Sequence, residues 1–513
     1  MSAPTGTPGL TAPPGTPQWR RLDPRTLLVH CGWMAAPLGS LALTALATGG
    51  RISSRAWISL AAIAASFAVI TAIGLVRWGR TAFRVTPDSF EVRTGLLTRR
   101  LRSVPLHRIR TVDLTASPLH RLLGVTVLRA GTAGSGDTGG ELRLDSLTRN
   151  QAHLLQAELL ARADVEAGTA DPVLARVSRR WLRYAPLTFW VVGGVFVAVG
   201  SLYRALDGMG IEPWKIGFVQ RAFSEFGAGI LWLTIPAALL GVLVLGSVGA
   251  VALYIENWWN YRLEWADART LRVHRGLFTT RSVTIEQDRL RGVLLREPLL
   301  LRAGGGATVR AVAGGLGNRE ENRRRSVMLP PAPRPQALRV ARGALRMPLP
   351  DTELTSPAPL TPHPRAALRR RRVRGVLYAV LPGTALLAGT GVAFTPVLLH
   401  CAWIYAVVST PLVLWLARDA YRNLGHGIRG GLLVTRSGTF SRDTLALERK
   451  AVVAWTFTTS PATRRAGLVT LTAAVAAGED GYRIPDLSAA EAPAFAAAAA
   501  PGIIEEFLEQ PRP

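Results

Sequence analysis

The sequence predicts an integral membrane protein in which six transmembrane α-helices, arranged as three hairpins, alternate with three strand-rich α+β blocks. Three observations predict it. Apolar residues, 48% of the 513, are bunched into segments of membrane length instead of being spread along the chain. Between those segments apolar and polar residues alternate over short runs. A spacing of glycines and prolines then recurs in each of the three intervening blocks.

A bilayer core of ~30 Å needs about 20 predominantly apolar residues per helix. Segments 27–48 and 57–77 meet that need, and a short link joins them. Segments 186–203 and 228–255 form a second pair with a longer loop. The third apolar stretch, 376–417, contains no Asp, Glu, Lys or Arg and is too long for one ordinary span. Thr395-Pro396 supplies a turn that divides it in two. The hairpin regions are then 25–80, 185–256 and 375–418, the blocks 81–170, 257–365 and 419–510. The Pro/Gly-rich start lacks a charged region leading into an apolar run and a cleavage site, so 1–24 reads as a disordered tail and not a signal peptide.

Basic residues set the orientation. Arg77, Arg80 and Arg84 follow the first hairpin; Arg176, Arg179, Arg180 and Arg183 precede the second. Arg365, Arg369 to Arg372 and Arg374 precede the third. The loop inside the second hairpin is balanced: Arg204, Lys215 and Arg221 against Asp207, Glu212 and Glu225. Both termini and all three blocks are therefore expected on the cytoplasmic face of a bacterial cell membrane. The formal net charge of +27 points to nucleic acid or an anionic membrane surface. Blocks tethered beside lipid select the membrane, and no nucleic acid is expected. Cys31 and Cys401, each in an apolar run, make neither a disulfide framework nor a zinc site.

The blocks read as half-buried strands: Phe90-Glu91-Val92-Arg93, Leu271-Arg272-Val273-His274 and Glu141-Leu142-Arg143-Leu144-Asp145 alternate with period two. Each block ends in a helical pattern, at 150–162, 335–346 and 489–508, the last interrupted by Pro501. The repeat is counted from Gly95, Gly276 and Gly438, which sit where a hairpin turn needs positive φ. Pro118, Pro298 and Pro461 follow 23, 22 and 23 residues later, and Gly124, Gly305 and Gly467 follow 29 later in each case. The proline-to-glycine segment reads as an irregular connection. The unit is a membrane hairpin followed by a strand-rich domain with a terminal helix, used three times.

The first block carries Val104-Pro105-Leu106-His107-Arg108-Ile109-Arg110-Thr111-Val112-Asp113-Leu114, then Ser117-Pro118-Leu119-His120-Arg121-Leu122-Leu123-Gly124-Val125. It resembles the bacterial pleckstrin-homology-like domain of membrane-tethered proteins of the YdbS/YdbT type. Glu286-Gln287-Asp288-Arg289-Leu290 stands in for the central motif in the second block, and Glu448-Arg449-Lys450-Ala451-Val452 in the third. The resemblance implies that each domain is a curved β-sheet or partly open barrel closed by a C-terminal helix, without catalytic residues or cofactor. It also implies a second protein of the same family as a partner.

Arg99, Arg100, Arg102, Arg108 and Arg110 are the candidate residues facing an anionic inner leaflet or a partner, each able to contribute on the order of 1 kcal/mol beside such lipid. They equally suit solvated strand faces. Arg323-Arg324-Arg325 lies in a polar insertion expected to be exposed and mobile. Catalysis has little to draw on: His107, His120 and Asp113 form no metal set, and Gly304-Gly305-Gly306 lacks the Lys-Ser/Thr of a phosphate loop. The expectation is a non-enzymatic scaffold at the inner membrane surface with a role in envelope homeostasis. The alternative is a transporter or channel. The predicted spans carry almost no ionisable groups, leaving His400 as its one residue to test.

Overall fold

In a computed structural model, the described residues are 19–25, 28, 39, 54–95, 100–106, 109–116, 118–132, 142–161, 173–188, 190–208, 231–266, 269–314, 319–346, 360–478 and 481–507. The expected first helix at 27–48 apart from Leu28 and Gly39, residues 1–18 of the expected tail, Arg99, Arg108 and most of the 204–226 loop lie outside them. The end of the tail is not disordered as expected, because Arg20–Arg21 pairs with Ala82–Phe83 and Leu22 is buried in the first domain's core.

The first domain follows helix α1 (Ser54–Arg80) and contains strands β2 (Ala82–Val85), β3 (Ser89–Thr94), β4 (Arg100–Pro105), β5 (Ile109–Ala116), β6 (Val125–Thr132) and β7 (Leu142–Thr148), then helix α2 (Arg149–Ala161). A two-residue strand, β1 (Arg20–Arg21), pairs with β2. Alternation does what the sequence predicts: Phe90 and Val92 are buried while Glu91 turns outward to meet Arg84 at 2.6 Å. In α2, Ala152, Leu155 and Leu159 fall on one stripe and seal the core between the two strand triplets.

The second domain repeats the order. Helices α3 (Trp190–Gly208) and α4 (Leu231–Trp258) precede β9 (Arg262–Trp265), β10 (Thr270–Arg275), β11 (Thr280–Glu286), β12 (Leu290–Pro298), β13 (Gly306–Ala313) and β14 (Val327–Pro333), and α5 (Arg334–Leu345) follows. A short strand, β8 (Ala175–Arg176), lies beside β9. The third has α6 (Arg365–Ala393) and α7 (Pro396–Arg422), then β15 (Gly425–Arg429), β16 (Leu432–Ser437), β17 (Ser441–Glu448), β18 (Val452–Thr458), β19 (Leu468–Val475) and β20 (Gly481–Ser488), closed by α8 (Ala492–Ala499).

The repeat glycines are fixed by backbone conformation. Gly95, Gly276 and Gly438 have φ of 155°, 115° and 129°. A Cβ on Gly276 or Gly438 would lie within 2 Å of the carbonyl oxygen of Thr279 or Ser441. Gly124, Gly305 and Gly467 have φ of 70°, 71° and 65°, the left-handed region. The segment before each is not irregular, as expected from sequence. It is a helical turn: Pro118–Leu122, Leu299–Ala303 and Pro461–Arg465. Proline fits a first turn because that turn has no use for its missing N–H.

The strands of successive domains are joined. The second triplet of the first domain and the first triplet of the second form one sheet, in the order β7-β6-β5-β11-β10-β9-β8. The next junction repeats this as β14-β13-β12-β17-β16-β15. The first domain has a core cluster of its own, while at the second junction the cores share residues: Leu432, Val434 and Ala446 of the third domain join the second domain's core, and Val312 of the second joins the third's. The Arg-rich insertion also takes part. Arg319–Arg325 is a short helix, and Asn322 is buried with its side-chain amide donating to the Gly478 carbonyl of the third domain at 2.5 Å. Arg323 and Arg324 are exposed, as expected of the insertion, while Asn322 anchors its helix to the third domain.

Three described helices are long and apolar enough to cross a membrane: Pro236–Trp258, Arg365–Ala393 and Pro396–Arg422. Only 11% of each apolar window is buried, so the apolar faces look outward as lipid-facing helices require. The division at Thr395 holds: its side chain caps α7 by accepting from the Val397 amide. In α6, Pro382 cannot donate and crowds the preceding turn, and the helix widens into a π turn at Val376–Val380. The Tyr405 hydroxyl donates to the Ala379 carbonyl at 3.0 Å in this turn.

Candidate functional site

Of the arginines singled out from sequence, Arg100 and Arg102 lie exposed on β4, and Arg110 is in β5. Arg99 and Arg108 are outside the described residues. Gly95, Gly276 and Gly438 form the turns that lead into β4, β11 and β17. His400 is exposed on α7, with its Nδ1 3.0 Å from the carbonyl of Pro396 one turn earlier. The described helices pair within hairpins, α3 with α4 and α6 with α7.

A larger basic feature lies at the base of the third hairpin. A cavity of about 990 Å³ opens between α6, α7 and the third domain. One wall is apolar, from Val413, Leu416, Ala417 and Ala420 of α7. The other holds the guanidinium groups of Arg370, Arg371, Arg374 and Arg483 and the hydroxyls of Thr456, Thr458, Thr470 and Thr472. Alternate residues of adjacent strands share a face, so the four threonines line one surface.

One carboxylate stands among these cations. Asp486 on β20 is 2% exposed and has φ 61°. It binds Arg370, and it accepts from Arg371 Nε at 3.1 Å with Arg371 Nη2 at 3.0 Å. Among the described residues Arg374 and Arg483 have no ion pair, and both are exposed. The cavity therefore keeps a positive field beside an apolar wall. From sequence the run at 369–372 reads as an orientation signal alone. Arg483 and Asp486 come from a strand more than a hundred residues later, and nothing local marks them.

Behind Asp486 lies a buried imidazole pair. His363 Nδ1 is 3.0 Å from the Asp486 carbonyl, and His426 Nδ1 is 3.1 Å from His363 Nε2. With His363 Nδ1 donating to the carbonyl and His426 Nδ1 donating to His363 Nε2, the accepting ring of His363 is neutral. Burial lowers both pKa values. His426, packed edge-on against Phe495 and beside His363, is brought down to about 4. For His363 the Asp486 carbonyl and carboxylate oppose the shift, while Arg371 adds to it.

An unfolded chain thus binds protons at a pH where the folded one does not. The stabilisation is complete above about pH 6.5 and is lost as pH falls toward the folded value. We expect His426 to cost on the order of 2 kcal/mol at pH 5. Thermal unfolding of the purified protein should show a midpoint falling between pH 7 and pH 5, with a shallower fall in His426→Phe. Equal slopes would contradict this account.

Comparison with known proteins agrees with the repeat. The family model described as Bacterial PH domain matches three separate stretches, 36–163, 222–347 and 376–501. Each stretch includes part of a hairpin region and the strand domain after it. The chain is also similar to the UPF0699 transmembrane protein YdbT of Bacillus subtilis, 23% identical over 435 residues, covering 81% of this chain and 83% of that protein. No solved structure matches. With three matched stretches, three copies of one strand order and helices of membrane length, the chain belongs to the bacterial PH domain family as a membrane protein that carries the domain three times.

Proposed function

We propose that the protein is a non-enzymatic scaffold with six membrane spans. It holds three PH domains against the cytoplasmic leaflet, where they bind anionic lipid headgroups and a protein partner. The observation that carries this reading is the cavity at the base of the third hairpin. Its arginines and hydroxyls suit the oxygens of a phosphate, and its apolar wall continues into the helix that contacts acyl chains. An anionic headgroup there would offset charge that Asp486 leaves uncompensated. The basic residues flanking the hairpins support placing all three domains on the same side. The first of the six spans, at 27–48, and the cytoplasmic placement rest on sequence. A role in envelope homeostasis is the wider setting of this proposal.

Substituting Arg374→Gln and Arg483→Gln together tests it, because neither residue is committed to an ion pair among the described residues. Native mass spectrometry of protein released from nanodiscs of mixed zwitterionic and anionic lipid should show retained anionic lipid on the parent chain. The double variant should retain roughly thirtyfold less, as loss of two contacts of about 1 kcal/mol each predicts. Equal retention by both proteins would refute the lipid-site reading.

A further inference from the structure

The shared sheets follow one rule, and the two ends of the chain leave it unsatisfied. At each junction the fourth strand of one domain pairs antiparallel with the third strand of the next: β5 with β11, and β12 with β17. The register is also the same. Counted from each repeat's turn glycine, the residue nineteen positions on faces the residue six positions on in the next domain. Leu114 thus lies opposite Ser282, and Leu295 opposite Thr444. Two strands of these classes have no neighbour across their outer edge among the described residues. β4, a third strand, ends the sheet β1-β2-β3-β4, and β18, a fourth strand, ends the sheet β18-β19-β20.

We propose that β18 of one copy pairs with β4 of a second copy, joining chains head to tail through the junction already used twice within the chain. The internal register assigns the contacts. Phe457 would face Leu101, Trp455 would face Ser103, and Thr458 and Thr456 would face Arg100 and Arg102. Leu101 is 58% exposed and Phe457 41% exposed, each a large apolar side chain in solvent on an open strand edge. The Trp455 Nε1 is buried without a hydrogen-bond partner, and this pairing would bring the Ser103 hydroxyl to it.

Charge selects the combination. Two β4 edges would bring Arg100 and Arg102 against the same residues of the other copy, and like charges across a strand pair repel. β18 reads Val-Val-Ala-Trp-Thr-Phe-Thr and carries no charge. The contact is heterologous, so copies would close into a ring or extend as a row in the membrane plane. This deepens the scaffold reading and rests on it for the placement of every domain on one side.

The test uses the full chain in its own membranes. Two differently tagged copies, both carrying Cys31→Ser and Cys401→Ser, are co-expressed, one with Leu101→Cys and the other with Phe457→Cys. Facing residues in an antiparallel pair are about 4.5–5.5 Å apart between Cα atoms, within reach of a disulfide. Mild oxidation is expected to join the two tags, and a chain carrying both cysteines should give a ladder of multimers. Moving the second cysteine from Phe457 to Val453 should abolish the product. A control chain with Leu295→Cys and Thr444→Cys should close an internal disulfide, showing that the junction is formed.

If the control closes and the two tags stay separate, the proposal is overturned. It is equally overturned if copies with Phe457→Cys alone crosslink to each other as readily. Equal retention of anionic lipid by the parent and the Arg374→Gln/Arg483→Gln variant, with the crosslink intact, would sink the headgroup site and leave the assembly standing.

Discussion

Glu297→Ala is expected to unlatch the second domain from the third. Glu297 is 1% exposed, and both of its oxygens are occupied. Arg334, at the start of α5, donates to Oε1 at 2.9 Å, while Arg442 of β17 donates to both oxygens at 2.7 and 2.8 Å. Glu297 and Arg442 are also direct partners in the β12–β17 register. Arg436 lies close by, with its pKa lowered by burial and by the charge of Arg442. Without the carboxylate, three guanidinium groups would share a partly buried space with no counter-charge. Breaking a buried pair from one side costs roughly 3–5 kcal/mol. Arg334 is 36% exposed and Arg442 23%, which favours the lower end. Hydrogen exchange should show β12 and β17 losing protection together while β5 and β11 keep theirs. Unchanged exchange in β12 and β17 would defeat this view. Glu297→Gln should lose less, since it keeps the shape and one acceptor.

Asp486→Ala is expected to weaken the hold of the third domain on its membrane hairpin by a similar amount, roughly 3 kcal/mol. Two causes add. Arg370 and Arg371 lose the carboxylate that places them, and a residue with φ 61° becomes one that tolerates the left-handed region poorly. Asp486→Asn separates the causes because asparagine accepts that conformation as aspartate does. The alanine variant should be the less stable in thermal unfolding, and both should fall below the parent. Anionic lipid retention should survive in both, since the cavity becomes more positive. Parent-like stability in Asp486→Ala would show that the ion pairs contribute nothing measurable.

Much of the architecture is legible in the sequence because its signals are local. Periodicity marks β3, β10 and β7. The spacing from Gly95, Gly276 and Gly438 marks the repeat, because a Cβ at such a turn meets a carbonyl. Thr395-Pro396 marks the break between α6 and α7, because a cap and a first-turn proline suit the start of a helix. The helical turns after Pro118, Pro298 and Pro461 are hidden because a single turn is too short to display a period. The shared sheets are hidden because a strand with apolar alternation does not state which neighbour completes its hydrogen bonds. The cavity is hidden for the same reason: Arg374 and Arg483 meet only through the fold, and an arginine run beside a span carries a topology meaning of its own.

The continuous sheets bear on how the protein must be made. β12, with Val293, Leu294 and Leu295 in sequence, finds its outer neighbour only when β17 appears, roughly 150 residues later. At ribosomal rates of about 5–20 residues per second the interval is on the order of ten seconds. During it the nascent chain must also place the helices of the third hairpin, with an apolar strand edge open to any chain that passes. A fragment ending after α5 would keep that edge exposed permanently. Its aggregation would report the missing neighbour and not a failure of the second domain to fold.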